Sequence, residues 1–215
     1  MKTTKEIAEL HFITIDHPDI LHSDQAIRAY KAGCKWVQLR MKNASLDEIE
    51  KEVVRILPVA KTYNAVLLIN DHTEIVLRTG AHGVHLGKND MSPSMAREML
   101  GHEYFIGGTA NTLEEVLYLI ENGVDYVGLG PYRFTTTKKN LSPTLGKQGY
   151  AQIITALNTL NLKIPIIAIG GILENDLQSL MQTGIHGIAA AGAIVAGNAI
   201  ETNVQNYQQL IHLLK

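Results

Sequence analysis

Four stretches of the chain share one arrangement of apolar and polar residues. In "KAGCKWVQL", "RTGAHGVHL", "ENGVDYVGL" and "QTGIHGIAA", a helix-like segment ends at a glycine and an apolar run begins three residues later. Glycine relieves the steric penalty of the left-handed conformation that commonly ends a helix. A short run of consecutive apolar residues is typical of a strand covered on both faces. Each stretch therefore predicts a junction between a helix and a buried strand, with the turn at Gly33, Gly80, Gly123 or Gly184.

Four further apolar runs alternate with these junctions, namely "HFITID", "AVLLIN", "YFIGGT" and "IPIIAIGG". Together the two sets predict eight strands, which lie near residues 11, 36, 65, 83, 104, 126, 165 and 187. Segments of helical period, such as "TLEEVLYLIENG", lie between most of them, and this alternation indicates parallel strands joined by right-handed crossovers. The prediction is an α/β fold, a TIM-type (β/α)8 barrel that forms a single domain over residues 1–215. A doubly wound open sheet is less favoured, because no GxGxxG motif follows the first strand.

Composition narrows the class of protein. Apolar residues make up 46% of the 215, enough for a sizeable core, and the formal net charge is −2. That charge gives no electrostatic reason to expect a nucleic-acid or membrane partner. The single cysteine, Cys34, excludes an internal disulfide, and the first residues lack the apolar region of a signal peptide. We therefore expect a cytoplasmic protein, and the composition is compatible with a homo-oligomer.

Basic residues mark the end of the second predicted strand. A (β/α)8 barrel carries its chemistry at the carboxyl ends of its strands. Gln38, Arg40 and Lys42 are spaced two apart, so they point to one side of the strand and would present a pair of cations to the barrel mouth. The alternative is that the two cations only extend from the strand end into solvent.

Two carboxylates follow the next two strands. Asp71 ends the third predicted strand and Asp90 follows the fourth. On neighbouring strands they could share a Mg2+ ion, which prefers one or two carboxylates together with phosphate oxygens of a substrate. The alternative, equally open from the sequence, is that each aspartate caps the helix that follows it.

Glycines and hydroxyls mark the opposite side of the mouth. Gly170 and Gly171 follow the seventh strand and Ala191 and Gly192 the eighth, where backbone N–H groups commonly hold a phosphate. The loop "GPYRFTTTKKNLSP", residues 130–143, could add hydroxyl donors and a lysine for a pyrophosphate. Tight turns alone and a solvated basic loop are the alternatives. The residues thus predict two anion sites, one built by side chains and one by the backbone.

These segments carry a resemblance to a known family. In order and spacing, "QLRMK", "LLINDHTEIVLRTGAHGVHLGKNDM", "GLGP…TTTKK" and "AIGGI" resemble the thiamine-phosphate synthase (thiamine-phosphate pyrophosphorylase) family, over essentially the whole chain. The resemblance implies a transferase that joins an aminopyrimidine methyl diphosphate to a thiazole phosphate and releases pyrophosphate, with Mg2+. It implies that the pyrimidine diphosphate is bound by Gln38, Arg40, Lys42, Asn70, Thr109 and Lys138, of which Arg40, Lys42 and Lys138 are catalytic. It assigns the thiazole phosphate to Thr135, Thr136, Thr137, Gly171, Ala191 and Gly192, and Mg2+ to Asp71 and Asp90.

The chain departs from this family's pattern at three positions. Met41 stands where the family often has glutamate, Phe134 where it has proline, and Gly192 where it commonly has serine. The rival functions are a thiazole tautomerase of the same superfamily and a non-catalytic, regulatory phosphate-binding barrel. Tautomerase members typically carry histidine where Pro131 stands, which favours the synthase. His85, inside "GVHLG", is interpreted as a core histidine without a catalytic role.

Overall fold

The computed structural model describes residues 5–134 and 143–215, and in this part of the chain eight short parallel strands alternate with helices. Each strand pairs with the next, and the last pairs with the first, so the sheet closes into a barrel. Leu10 of the first strand lies opposite Ile188 of the last, which excludes the open sheet. The strands are β1 Leu10–Ile13, β2 Trp36–Leu39, β3 Val66–Asn70, β4 Gly83–Leu86, β5 Phe105–Ala110, β6 Tyr126–Leu129, β7 Ile166–Ile169 and β8 Gly187–Ala190.

Helices surround this barrel and connect its strands. Their bounds are α1 His22–Lys31, α2 Leu46–Thr62, α3 Thr73–Thr79, α4 Pro93–Leu100, α5 Leu113–Glu121, α6 Gly146–Thr159, α7 Leu177–Met181, α8 Gly192–Val195 and α9 Ile200–Leu213. The four glycines of the repeated motif have φ angles of 101°, 73°, 75° and 89° at Gly33, Gly80, Gly123 and Gly184, which confirms the predicted turns. Within the described residues, no helix is both long enough and apolar enough to cross a membrane.

The barrel has two apolar cores, because successive strand residues point alternately inward and outward. The outward residues pack against the helices, as Val37 and Leu67 do. The inward residues Trp36, Leu68 and Tyr126 form a second core inside the barrel. There the ring of His11 stacks on Trp36 at a centroid distance of 4.6 Å and meets Tyr126 edge-on at 5.0 Å. This aromatic layer fills the lower part of the barrel interior.

Candidate active site

A cavity of about 340 Å³ opens at the carboxyl ends of the strands, and residues on or after all eight strands line it. Its position is the one that barrel enzymes use for their chemistry. The sequence-predicted site residues that the structure brings together here are Gln38, Arg40, Lys42, Asn70, Asp71, Thr109, Gly171, Ala191 and Gly192. Asp90 adjoins this set, since its carboxylate accepts a hydrogen bond of 2.7 Å from the backbone N–H of Gly87.

The predicted row on β2 faces the cavity. Gln38 is buried, and its amide nitrogen donates a hydrogen bond of 2.9 Å to the side-chain oxygen of Asn70. Arg40 is half-buried, and this burial lowers its pKa against the opposing effects of Asp71 and Asp16. A guanidinium nevertheless remains charged at neutral pH. Lys42 lies 3.3 Å from the carboxylate of Asp71. The row therefore places two cations and an oriented amide along one wall.

Asp71 and Asp90 interact directly. Burial raises the pKa of Asp71, and a hydrogen bond and charge repulsion from Asp90 raise it further, against the opposing pull of Lys42. Burial also acts to raise the pKa of Asp90, but hydrogen bonds from Asp71 and the Gly87 N–H outweigh it, so that pKa is lowered. Two carboxylates in contact cannot both ionise easily. The pair is therefore under electrostatic strain, which Lys42 relieves in part and which a further cation would relieve more.

The helix-capping alternative for these aspartates is wrong. The residue that precedes α3 is His72, not Asp71. At the start of α4 the hydroxyl of Ser92 is the cap, since it accepts a hydrogen bond of 3.3 Å from the N–H of Met95. Neither Asp71 nor Asp90 is therefore the N-cap of the helix that follows it. Both carboxylates lie near the mouth of the barrel instead.

The donor set suits a magnesium ion. Among the described residues there is no group of three or more His, Cys, Asp and Glu side chains that could enclose a metal. Mg2+ does not require such a group, because it binds through one or two carboxylates and completes its octahedron with water and phosphate oxygens. Asp71 and Asp90 supply that minimum, and their mutual repulsion would be relieved by a divalent cation.

The opposite wall consists of backbone. Gly170 and Gly171 adopt left-handed φ angles of 99° and 68° after β7. A Cβ atom at Gly171 would lie 2.5 Å from Cγ of Arg133, whereas one at Gly192 would have no atom within 4 Å. Gly192 begins α8, whose first N–H groups have no partner within the helix. This wall therefore offers backbone N–H donors, and its glycines let a ligand come close to the backbone. Gly170, Gly171 and Gly192 themselves carry no charged side chain.

The segment after β6 is anchored beside that wall. The N–H groups of Tyr132 and Arg133 donate to the carbonyls of Ile169 and Gly170 at 2.8 and 3.1 Å. The chain returns where the N–H of Leu145 donates to the carbonyl of Pro131 at 2.9 Å. The predicted phosphate-binding residues of this loop lie outside the described residues; they are Thr135, Thr136, Thr137 and Lys138.

Sequence reasoning missed two residues of the cavity, His85 and Asn111. His85 is buried, and its ring nitrogens lie 2.8 Å from the Tyr126 hydroxyl and 3.0 Å from Oγ1 of Thr109. Asn111 donates to the carbonyl of Gly130. Both lie on cavity-facing positions, since His85 is two residues before Gly87 and Asn111 two after Thr109. The same two-residue period that selected Gln38 and Arg40 could have found them.

Comparison with known proteins assigns the chain to a family. Residues 10–194 match the family described as thiamine monophosphate synthase. The chain belongs to this family. A protein of Phocaeicola vulgatus named thiamine-phosphate synthase is 49% identical over 87% of this chain and 90% of its own. One of Bacteroides thetaiotaomicron with the same name is 43% identical over 95% of this chain and 100% of its own.

A solved structure extends the likeness to three dimensions. The thiamine phosphate pyrophosphorylase of Pyrococcus furiosus superimposes with a TM-score of 0.85 at 26% identity, and the match covers 96% of each chain. The family resemblance and the predicted barrel are therefore confirmed.

Proposed function

We propose that this chain catalyses the thiamine-phosphate synthase reaction, joining a pyrimidine methyl diphosphate to a thiazole phosphate. One observation carries the proposal beyond family membership. A single cavity has Arg40, Lys42 and Asp71 on one wall, with Asp90 in contact with Asp71, and a glycine-rich backbone on the other. Side-chain cations and backbone N–H groups are both established means of binding phosphate, so this cavity can accept two phosphorylated substrates at once.

The diphosphate would lie on the charged wall. The reaction breaks the C–O bond between the pyrimidine methylene carbon and the diphosphate, which leaves with the bonding electrons. The thiazole nitrogen uses its lone pair to form the new C–N bond at that carbon. Arg40 and Lys42 then stabilise the negative charge that grows on the leaving diphosphate. Mg2+ held by Asp71 and Asp90 would supply Lewis-acid neutralisation of the same charge.

The pyrimidine ring would be oriented by amides. Gln38 donates to Asn70 at 2.9 Å, so each amide fixes the rotation of the other where both line the cavity. An amide held in this way discriminates the donor and acceptor atoms of a heterocycle, because the wrong pairing leaves a buried polar group unsatisfied. The methylene carbon would thereby be aligned with the thiazole nitrogen.

The thiazole phosphate would lie against Gly171, Ala191 and Gly192, and the family resemblance adds the hydroxyls of Thr135, Thr136 and Thr137.

The family resemblance also assigns Lys138 to the leaving diphosphate. We expect Lys138→Ala to lose far more kcat than affinity for the thiazole phosphate. Equal losses in kcat and in that affinity, measured by steady-state kinetics, would contradict this role.

The decisive experiment is a complete turnover assay. Purified protein is incubated with the pyrimidine diphosphate, the thiazole phosphate and Mg2+, and thiamine phosphate and pyrophosphate are quantified, with EDTA as the control. We expect both products in equal amounts, and none with EDTA. No turnover while thiazole phosphate still binds would favour the tautomerase or the regulatory barrel. Pro131 lines the cavity where tautomerase members typically carry histidine, which favours the synthase.

A further inference from the structure

A line of hydrogen bonds crosses the cavity floor from β6 through β4 to β5. The hydroxyl of Tyr126 lies 2.8 Å from Nδ1 of His85, and Nε2 of His85 lies 3.0 Å from Oγ1 of Thr109. Tyr126 belongs to the buried aromatic layer, while His85 and Thr109 line the cavity. The line therefore connects the barrel core with the space that a substrate would fill.

The direction of the first hydrogen bond follows from burial. Burial raises the pKa of Tyr126 far above its ordinary value, so the hydroxyl keeps its proton. A buried O–H without an acceptor is costly, and the acceptor recorded for it among the described residues is Nδ1 of His85. The burial of the hydroxyl and the 2.8 Å contact together support donation by the Tyr126 O–H to Nδ1 of His85.

The direction of the second hydrogen bond follows from the first. If Nδ1 accepts, the imidazole carries its proton on Nε2. Nε2 then donates to Oγ1 of Thr109, which lies 3.0 Å away. Since the Thr109 oxygen accepts this hydrogen bond, its own hydrogen can donate to another group. Thr109 lines the cavity, so that group can be an atom of a bound substrate.

Two glycines make room for this line. A Cβ atom on Gly107 of β5 would lie 2.5 Å from the Tyr126 hydroxyl oxygen, and one on Gly128 of β6 would lie 3.0 Å from Cε1 of His85. Glycine inside a strand weakens it and commonly marks the close approach of another group. Both strands thus accommodate the Tyr126–His85 pair at a cost to their own stability.

We propose that His85, held in one tautomer by Tyr126, is a positioning residue that directs the Thr109 hydroxyl proton to an acceptor atom of the bound pyrimidine diphosphate. The inference rests on the proposed synthase function. His85 does not touch the substrate in this scheme, and it acts through Thr109. A hydroxyl that is already oriented needs no reorganisation when charge develops on the substrate.

A double-mutant cycle tests this coupling. We expect His85→Leu and Thr109→Val each to lower kcat/KM for the pyrimidine diphosphate about tenfold, the effect of losing one oriented hydrogen bond. The double variant should be no worse than Thr109→Val alone, because the hydroxyl that His85 is proposed to orient is already absent. Losses that multiply to about a hundredfold would overturn the proposal, since His85 would then act independently of Thr109. His85→Gln, which can still donate to Thr109, should restore most of the loss.

Controls separate positioning from folding. His102→Leu alters an exposed histidine and should change neither kcat/KM nor melting temperature. Because replacing the buried His85 can unfold the barrel, Tyr126→Phe provides a second variant that removes a single hydroxyl. We expect a smaller loss in kcat/KM for the pyrimidine diphosphate, with KM for the thiazole phosphate unchanged. A loss confined to the thiazole phosphate would refute the assignment.

Nitrogen-15 NMR of histidine-labelled protein tests the tautomer without turnover. The signals absent from the His85→Gln spectrum identify His85. We expect its proton on Nε2 in the parent protein at neutral pH, and a mixture of tautomers in Tyr126→Phe. A proton on Nδ1 of the parent protein would overturn the proposal. A parent protein that shows the expected tautomer but makes no thiamine phosphate would refute the proposed function instead.

Discussion

The two walls of the cavity present different chemical groups to a ligand. The wall of β2 to β4 uses charged side chains, and its Asp71 and Asp90 are destabilised by each other. The wall of β7 and β8 uses backbone, with Gly171 held at a φ of 68° and Gly192 at the start of α8. A charge can be removed by a substitution that preserves shape. A backbone donor can be removed only by altering the path of the chain.

The two walls should therefore respond differently to substitution. On the charged wall they should change catalysis with little effect on stability, because Asp71 and Asp90 repel each other and contribute little net stabilisation to the fold. On the backbone wall, stability and binding should change together, because the glycines fix both.

Asp71→Asn should have the largest effect on catalysis. Asparagine tolerates the left-handed φ of 67° at this position, so the chain path is preserved. We expect kcat to fall about a hundredfold or more, because one of the two carboxylates proposed to hold Mg2+ is lost. The free energy of unfolding without Mg2+ should stay equal or rise, since the repulsion with Asp90 is removed. Steady-state kinetics and urea unfolding measure the two quantities.

A carboxylate outside the cavity provides the matched control. Glu50 forms an ion pair of 3.0 Å with Arg78 on the outside of the barrel. Glu50→Gln should leave kcat unchanged and alter the free energy of unfolding by less than about 0.5 kcal/mol. If Asp71→Asn keeps normal kcat with normal dependence on Mg2+, the charged wall does not hold the metal.

The contrast between the walls also explains what the sequence could predict. Strand positions and the repeated turns were predictable, because they depend on local apolar runs and on glycines such as Gly80. The common orientation of Gln38, Arg40 and Lys42 was also predictable, because alternate residues of a strand point to the same side. The Tyr126–His85 contact was not, because it joins residues 41 apart and Tyr126 stands in an apolar run that indicates only a buried strand. Local pattern specifies which face a side chain occupies, but its partner depends on how the barrel closes.

Gly171→Ala should have the second largest effect, on the backbone wall. Its φ of 68° costs about 1–2 kcal/mol for a residue with a Cβ. That atom would also displace Arg133, whose Cγ lies 2.5 Å away. We expect lower thermal stability together with a KM for the thiazole phosphate raised about tenfold, and an unchanged KM for the pyrimidine diphosphate. A rise in both KM values would mean that the walls do not divide the substrates.

Arg133→Met should have a smaller effect on the same wall. Arg133 forms an ion pair with Asp176, whose other oxygen accepts a hydrogen bond of 2.8 Å from the N–H of Leu173. The pair ties the loop after β6 to the turn after β7. Because Arg133 is partly exposed, we expect a loss of about 1 kcal/mol in the free energy of unfolding.

Arg133→Met should also raise the KM for the thiazole phosphate about threefold, because the loop after β6 is then held less firmly against the backbone wall. Arg55→Met is the matched control, since Arg55 pairs with Asp24 at 3.3 Å on the outer surface. Equal KM values in the two arginine variants would show that the ion pair stabilises the fold without shaping the phosphate site.

Gly192→Ala should have the smallest effect, and it tests how the backbone wall works. A Cβ atom at Gly192 meets nothing within 4 Å, and the position needs no left-handed φ, in contrast to Gly171. We expect a free energy of unfolding within about 0.5 kcal/mol of the parent protein, or slightly above it. By the family resemblance, serine is common at this position. Comparing Gly192→Ser with Gly192→Ala therefore separates the effect of the hydroxyl from that of the Cβ atom. Equal KM values for the thiazole phosphate in both variants would mean that the N–H groups of α8 suffice. A lower KM in the serine variant alone would mean that the hydroxyl contributes, and that in this chain the backbone wall lacks one donor.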